Sequence, residues 1–191
     1  FIEHCFLPCL KKLGIGVDFK LNKAGFFPIG AGEIQVTIQP WLDREELDLL
    51  DCGSLQTIEA FAAVLNLSEE AQIVQRELAT LNKRLTLNSQ QHFHLKGISQ
   101  GNTVYVKVEH QHHTQLFTAL GEMRKSAEQI ANNLAEDVKY YLNSKAAVDE
   151  YLADQLLLPL ALGQGGRFTA QCISEHTRTQ AAMIEKFIDC N

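Results

Sequence analysis

Segments with two different hydrophobic periodicities are interspersed along the chain, and this mixture constrains the fold more than any other feature. Residues 33–39 and 103–109 alternate apolar and polar side chains, as strands with one buried face do. Further extended segments are predicted at 57–64, 115–120 and 168–173. Between them, a helix is predicted from about Ser68, with Val74, Leu78 and Leu81 facing inward. We therefore expect an α+β fold.

The clearest predicted helix follows Ser126. Ser126 and Gln129 have the spacing of a capping box. The apolar residues that then recur at helical intervals are Ile130, Leu134, Val138 and Tyr141. The pattern ends at residues 143–144, and two more helices are predicted, from about residue 146 toward Pro159 and after Thr177.

The chain begins with an apolar helical stripe that has no capping residue and stops at Gly14. It lacks an initiator Met and the basic region and cleavage site of a signal peptide. We interpret the stripe as a truncated helix and expect that an amino-terminal part of the protein precedes it.

A change of composition after Trp41 indicates a domain boundary, because an acidic, polar stretch follows it. Residues 44–144 are predicted to form an inserted α+β unit of about 100 residues. Residues 1–43 and 145–191 cannot close a core separately, so we predict that they are two pieces of one larger domain interrupted by that unit.

The composition, 46% hydrophobic and 21% charged over 191 residues, is that of a globular protein. A net charge of -6 argues against strong polyanion binding by this segment as a whole, so any nucleic-acid surface must be local or lie elsewhere. The longest apolar stretch, residues 156–162, is too short to span a membrane. None of the five cysteines forms a C-x-x-C pair, which predicts reduced thiols in an intracellular protein.

Two clusters invite functional interpretations that their spacing does not favour. The glycines of residues 25–32 could expose N–H groups to phosphate, but no Lys-Ser/Thr pair follows and a strand does, which favours a structural turn. His92, His94, His110, His112 and His113 lack a carboxylate or thiol at supporting spacing, so we expect exposed positions rather than a metal site.

His176 lies at a predicted strand-to-helix junction with hydroxyls and Arg178 close by in sequence. Free N–H groups at a helix start, hydroxyl donors and a guanidinium all favour an anion such as phosphate. The pattern alone leaves a plain surface histidine open. Asp154 and Gln155 interrupt an apolar stretch, which indicates a buried polar pair, a ligand contact or a helix surface position.

Three segments together carry a family resemblance: residues 25–33, residues 150–159 (EYLADQLLLP) and residues 174–179 (SEHTRT). In order and spacing they resemble the RNA 3'-terminal phosphate cyclase family, over the whole chain but little more than half of a family member. Ala31, where the family usually has Gly, and Gln180, where Asn is frequent, depart from its pattern. The resemblance implies a large domain of repeated units, each of two helices on a four-stranded sheet, interrupted by a smaller inserted α+β domain.

The resemblance also implies an activity and its residues. ATP would bind along Tyr151, Leu152, Ala153, Asp154 and Gln155, and His176 would become adenylylated. An RNA 3'-terminal phosphate would be converted to a 2',3'-cyclic phosphate, with a divalent metal, Mg or Mn, whose ligands the sequence does not identify. The compartment would be the cytoplasm, or the nucleus in a eukaryote. Two alternatives stay open: a non-catalytic paralogue that acts as a scaffold in ribosomal RNA processing, which would lack the nucleophile, or an inactive fragment.

Overall fold

A computed structural model describes residues 1–189 and has an α+β fold, as the two periodicities predict. The helices are α1 (Leu7–Lys12), α2 (Ile73–Arg84), α3 (Ala127–Ser144), α4 (Glu150–Leu162) and α5 (Glu175–Ile184). The strands are β1 (Val17–Lys23), β2 (Glu33–Ile38), β3 (Leu47–Leu49), β4 (Leu55–Leu65), β5 (Ser89–His94), β6 (Gly101–His110), β7 (Thr114–Leu120) and β8 (Gly166–Phe168). A π-helical turn, Ile2–Phe6, precedes α1, and a 3-10 turn, Glu69–Ala71, precedes α2.

The middle of the chain forms a four-stranded sheet in the order β5-β4-β6-β7, with α2 and α3 packed together on one face. β4 runs parallel to β5 and antiparallel to β6, and β6 runs antiparallel to β7. The predicted inward residues are buried, including Val104, Val106 and Val108 on β6. Burial of each such side chain stabilises the fold by about 1.5–3 kcal/mol relative to exposure. The capping box at Ser126 is present.

A second core joins the beginning and the end of the chain. Cys5 and Cys9 pack there with Leu152 and Leu156 of α4, and all four are fully buried. β3 belongs to this core as well, since it pairs in parallel with β8. The segments on either side of residues 44–144 therefore pack together. The boundary at residue 44 stays a prediction, and β3, just beyond it, packs with the flanking segments.

β1 and β2 form an antiparallel hairpin whose apolar face is open. Val17, Phe19 and Leu21 lie opposite Ile38, Val36 and Ile34, respectively. Ile34, Val36 and Ile38 share one face of β2, as the alternation predicts, and they are 57%, 45% and 70% exposed. Within residues 1–189 these three side chains of β2 are open to solvent, so the alternation located the strand although its apolar face is exposed.

Several predicted boundaries in the last segment were wrong. α4 begins at Glu150 rather than residue 146, because Asp149 caps it, and it continues past Pro159 to Leu162. Because proline has no N–H, α4 lacks the backbone hydrogen bond that residue 159 would otherwise donate to the carbonyl of Gln155. The strand predicted at 168–173 is limited to β8 and an isolated bridge at Ala170. Among residues 1–189, no helix combines the length and apolar character that crossing a bilayer requires.

Candidate active site

The first turn of α4 separates anchoring residues from accessible ones. Asp149 caps the helix by accepting a hydrogen bond from Leu152 N at 2.8 Å. Leu152 and Ala153 have no exposed surface and lie in the second core. Tyr151 is 69% exposed. Leu152 and Ala153 therefore hold the helix in place, and their side chains are not available to a ligand.

A cleft of about 450 Å³ opens beside that first turn. One wall is formed by Tyr151, Asp154 and Gln155 of α4, and another by Asp137 and Tyr140 of α3. The remaining lining residues are Phe1, Leu116, Phe117, Thr118, Leu134, Asp149, Glu150, Gln171 and Cys172. The cleft thus lies between the middle sheet unit and the flanking segments, and three of the five predicted nucleotide-binding residues line it.

The cleft is acidic. Burial, with help from Glu136 and Glu150, raises the pKa of the Asp137 carboxyl. Burial also raises the pKa of Asp149, although hydrogen bonds from Leu152 N and the Gln115 side chain partly offset this. No lysine or arginine is among the residues that line the cleft. A polyphosphate would be repelled here, whereas hydroxyl and amino groups would find acceptors.

Asp154 provides an observation that bears directly on ligand binding. Its Oδ1 atom is buried and has no hydrogen-bond partner within residues 1–189. A buried acceptor without a donor is costly, by about 1–3 kcal/mol. An acceptor of this kind on the cleft wall fits a ligand that brings an N–H or O–H group, as the sugar and base of a nucleotide do.

His176 occupies the first turn of α5 rather than a junction before it. Ser174 caps this helix by accepting a hydrogen bond from Thr177 N at 3.2 Å, and the two hydroxyls lie 3.0 Å apart. Thr177 is buried. The Ser174 and Thr177 hydroxyls, which were candidates to stabilise phosphate oxygens, are therefore in contact with each other at the cap. His176 itself is exposed. Arg178 lies 3.7 Å from Glu175 on the helix surface.

The backbone connects His176 with the cleft. Gln171 N donates to Val148 O at 2.9 Å, which holds the segment before α5 beside the start of α4. Gln171 and Cys172 line the cleft, and the Cys172 thiol lies 3.7 Å from Glu150 Oε2. α4 and α5 are also in contact with each other. His176 is therefore four residues beyond Cys172, which lines the cleft, but His176 does not line the cleft itself.

The glycine turn at residues 25–32 is a structural turn that packs on the middle unit. Phe26 N donates to Ser99 Oγ at 2.8 Å, and Gly30 N donates to Phe26 O at 2.7 Å. Ala31 adopts a positive φ of 58°, a conformation that costs alanine more than glycine. No residue of this turn lines the cleft.

The histidines do not form a metal centre. His92, His94 and His112 are exposed as predicted, but that prediction was wrong for His110, which is half-buried, and for His113, which is 5% exposed. Burial lowers the pKa of His113 to about 4. Within residues 1–189 no group of three or more His, Cys, Asp or Glu side chains is placed to hold a metal ion.

The thiols behave as the sequence predicts over the described part of the chain. Cys5, Cys9, Cys52 and Cys172 are free. Burial raises the pKa of Cys5 to about 12 and that of Cys9 to about 11, which makes both poor nucleophiles. Cys190 lies outside the described residues.

Comparison with known proteins identifies the family of the chain. The chain matches the family described as RNA 3'-terminal phosphate cyclase over residues 1–191. It is also 35% identical to an RNA 3'-terminal phosphate cyclase of Pseudomonas fluorescens over 191 residues. That match covers 98% of the chain and 55% of the relative. The chain belongs to the RNA 3'-terminal phosphate cyclase family and spans about half the length of the curated relative it matches.

Proposed function

We propose that the chain provides the nucleophile and the nucleoside-binding cleft of an ATP-dependent RNA 3'-phosphate cyclase. The observation that carries the proposal is that one family motif lines the cleft, together with the segment that leads directly into the second motif, residues 174–179. The first turn of α4 forms its wall, and the Gln171–Cys172 segment leads from that wall into the helix of His176. The family membership supports the reaction class.

In this proposal the cleft binds the base and sugar of ATP, and the start of α5 binds its phosphates. Tyr151 presents an exposed ring that can stack on adenine, while Asp154 and Gln155 offer acceptors and an amide to the base and sugar. The phosphates would lie outside the acidic cleft, toward the N–H groups at the start of α5 and the Arg178 guanidinium. Contacts from the rest of the longer protein would complete this half of the site.

A phosphate monoester has no good leaving group, so the RNA 3'-phosphate must be activated before the ring can close. In the first step a ring nitrogen of His176 attacks the α-phosphorus of ATP, a P–N bond forms, and the bond to the β-phosphate breaks to release pyrophosphate. An oxygen of the RNA 3'-phosphate then attacks the same phosphorus and breaks the P–N bond. The RNA 2'-hydroxyl finally attacks the activated phosphate and loses its proton as AMP leaves, which closes the ring.

A divalent metal, Mg or Mn, would supply charge neutralisation for the departing pyrophosphate. The described residues form no metal cluster of their own. We therefore expect the phosphates of ATP to bind this metal ion. The acidic residues of the cleft do not replace them, because they line the nucleoside end.

The proposal is tested with ATP carrying a labelled α-phosphate. The protein expressed from its complete reading frame is incubated with the nucleotide, and acid-labile label is measured on wild type, His176→Ala and His112→Ala. His112 is another exposed histidine, outside the cleft lining, and serves as the matched control. Label is expected on wild type and His112→Ala and should be absent from His176→Ala. Equal labelling of all three would disprove the assignment of the nucleophile.

Binding of ATP by the 191-residue chain distinguishes the enzyme from an inactive fragment. If contacts from outside the chain are essential, the chain should bind ATP at least tenfold more weakly than the complete protein, a difference of about 1.4 kcal/mol. Equal affinity would show that the cleft and α5 suffice.

A further inference from the structure

Gln115 is a fully buried amide that joins the middle unit to the helix carrying the nucleotide motif. It lies on β7 and has no exposed surface. Its Oε1 atom lies 3.4 Å from the backbone nitrogen of Asp149, which donates to it. An amide without exposure is costly unless it is hydrogen-bonded, so its presence among apolar neighbours requires a reason.

Both Gln115 and Asp149 make further hydrogen-bonding contacts. On one side, His113 Nε2 lies 3.4 Å from the same Gln115 oxygen, and His113 Nδ1 lies 3.9 Å from the buried Cys9 thiol. Because the amide oxygen only accepts, Nε2 must carry the proton and the thiol donates to Nδ1. On the other side, the Asp149 carboxylate caps α4 through Leu152 N. One hydrogen-bonded chain thus runs from α1 through β7 into α4.

We propose that Gln115 is a positioning residue for the nucleotide cleft. It fixes the residue that caps α4, and thereby the first turn that presents Tyr151 and Asp154 to the ligand. Gln115 does not line the cleft, so it acts through Asp149 rather than by touching ATP. The inference rests on the proposed function, because it assigns a role within that same site.

Loss of the amide oxygen leaves the Asp149 N–H without a buried partner, and the first turn of α4 becomes free to shift. A misplaced turn weakens nucleoside binding but leaves the His176 ring and its helix unchanged. The expected signature is therefore a change in KM for ATP without a matching change in kcat. A general loss of packing would lower both the stability and kcat.

The experiment uses the protein from its complete reading frame and two variants of similar side-chain volume. Gln115→Met removes the amide, and Gln115→Glu restores an oxygen acceptor. At pH 6 the introduced carboxyl and Asp149 can share a proton, so the rescue is measured there. Gln115→Met is expected to raise KM for ATP about tenfold with kcat within about twofold, and Gln115→Glu to restore most of the affinity.

Amide hydrogen exchange gives a second readout that does not depend on activity. The N–H groups of Asp149 and Leu152 should exchange faster in Gln115→Met and recover in Gln115→Glu. Glu77→Gln is the matched control, since Glu77 is an equally buried polar residue of the middle unit that does not line the cleft. It should change neither KM nor exchange in α4.

The outcomes separate the two proposals. If wild type transferred no AMP to His176, the proposed function would fail, while the exchange data would still decide whether Gln115 positions α4. Unchanged exchange at Asp149 and Leu152 in Gln115→Met would overturn the positioning role. Equal loss in the Met and Glu variants would do so too, because packing rather than the acceptor would then be responsible.

Discussion

Glu77 is a carboxyl with no exposed surface in the interface between α2 and β6. Asn102 Nδ2 donates to its Oε1 at 2.7 Å, while Oε2 is buried and has no partner within the described residues. Burial raises the pKa of Glu77 from 4.5 to about 7, and the Asn102 bond only partly offsets this. The protonated side chain is therefore the form that the folded protein favours at mildly acidic pH.

The raised pKa predicts a stability that falls as the pH rises. Between 4.5 and about 7 the folded protein binds the proton more tightly than the unfolded chain, so this contribution is present below pH 4.5 and is lost by pH 8. Glu77→Gln has no such titration. Relative to wild type, it should gain about 2 kcal/mol of unfolding free energy between pH 5 and pH 8. Urea unfolding at both pH values measures this, and a constant difference would contradict the assignment.

Candidate residues that belong to a local motif could be proposed from the sequence, and residues whose environment depends on distant contacts could not. Tyr151 and His176 belong to short motifs, so the roles proposed for them could be inferred from the linear order. His113 is buried because it packs against Cys9, which lies 104 residues away in the chain. Nothing in the local pattern of a polar, histidine-rich turn signals that contact, and the same holds for Gln115.

At the scale of elements, the pattern located the longer strands and helices that bury an apolar face and also the exposed strand β2, but it missed β1, β3 and β5. β5, with the sequence SQQHFH, is an edge strand with mostly exposed side chains, so it has no hydrophobic alternation to detect. β1 does alternate, but its apolar face is uncovered and its partner β2 is ten residues further along the chain. Strand pairing, rather than burial, defines both.

The cap of α5 predicts a local stability effect that should extend to His176, the proposed nucleophile. Ser174→Ala removes the acceptor of Thr177 N, which should cost about 1 kcal/mol of unfolding free energy and fray the turn that holds His176. The rate of label transfer to His176 should fall with it. Ser174→Asn keeps a capping oxygen and should restore both quantities. Unchanged unfolding and labelling in Ser174→Ala would show that the cap does not order this turn.

At the scale of the whole molecule, the cleft exists because two cores meet. One wall belongs to α4, in the core built from the ends of the chain, and the other belongs to α3 of the middle unit. The sequence predicted both helices and the α4 motif. It could not predict that Asp137 and Tyr140 face that motif, because this depends on how the two cores are oriented.

Tyr140 on the α3 wall provides a test of whether the middle unit contacts the nucleotide. Its ring is 62% exposed and lines the cleft, so Tyr140→Ala should leave the unfolding free energy nearly unchanged. Loss of a ring that packs on the nucleoside should weaken ATP binding about fivefold, since aromatic contacts contribute about 0.5–1.5 kcal/mol. Calorimetric titration of the protein from its complete reading frame measures the affinity, with Met123→Ala, an exposed residue of the same unit outside the cleft, as control. If Tyr140→Ala bound ATP as tightly as Met123→Ala, the nucleotide would rest on α4 alone, and the middle unit would shape the cleft without contacting its ligand.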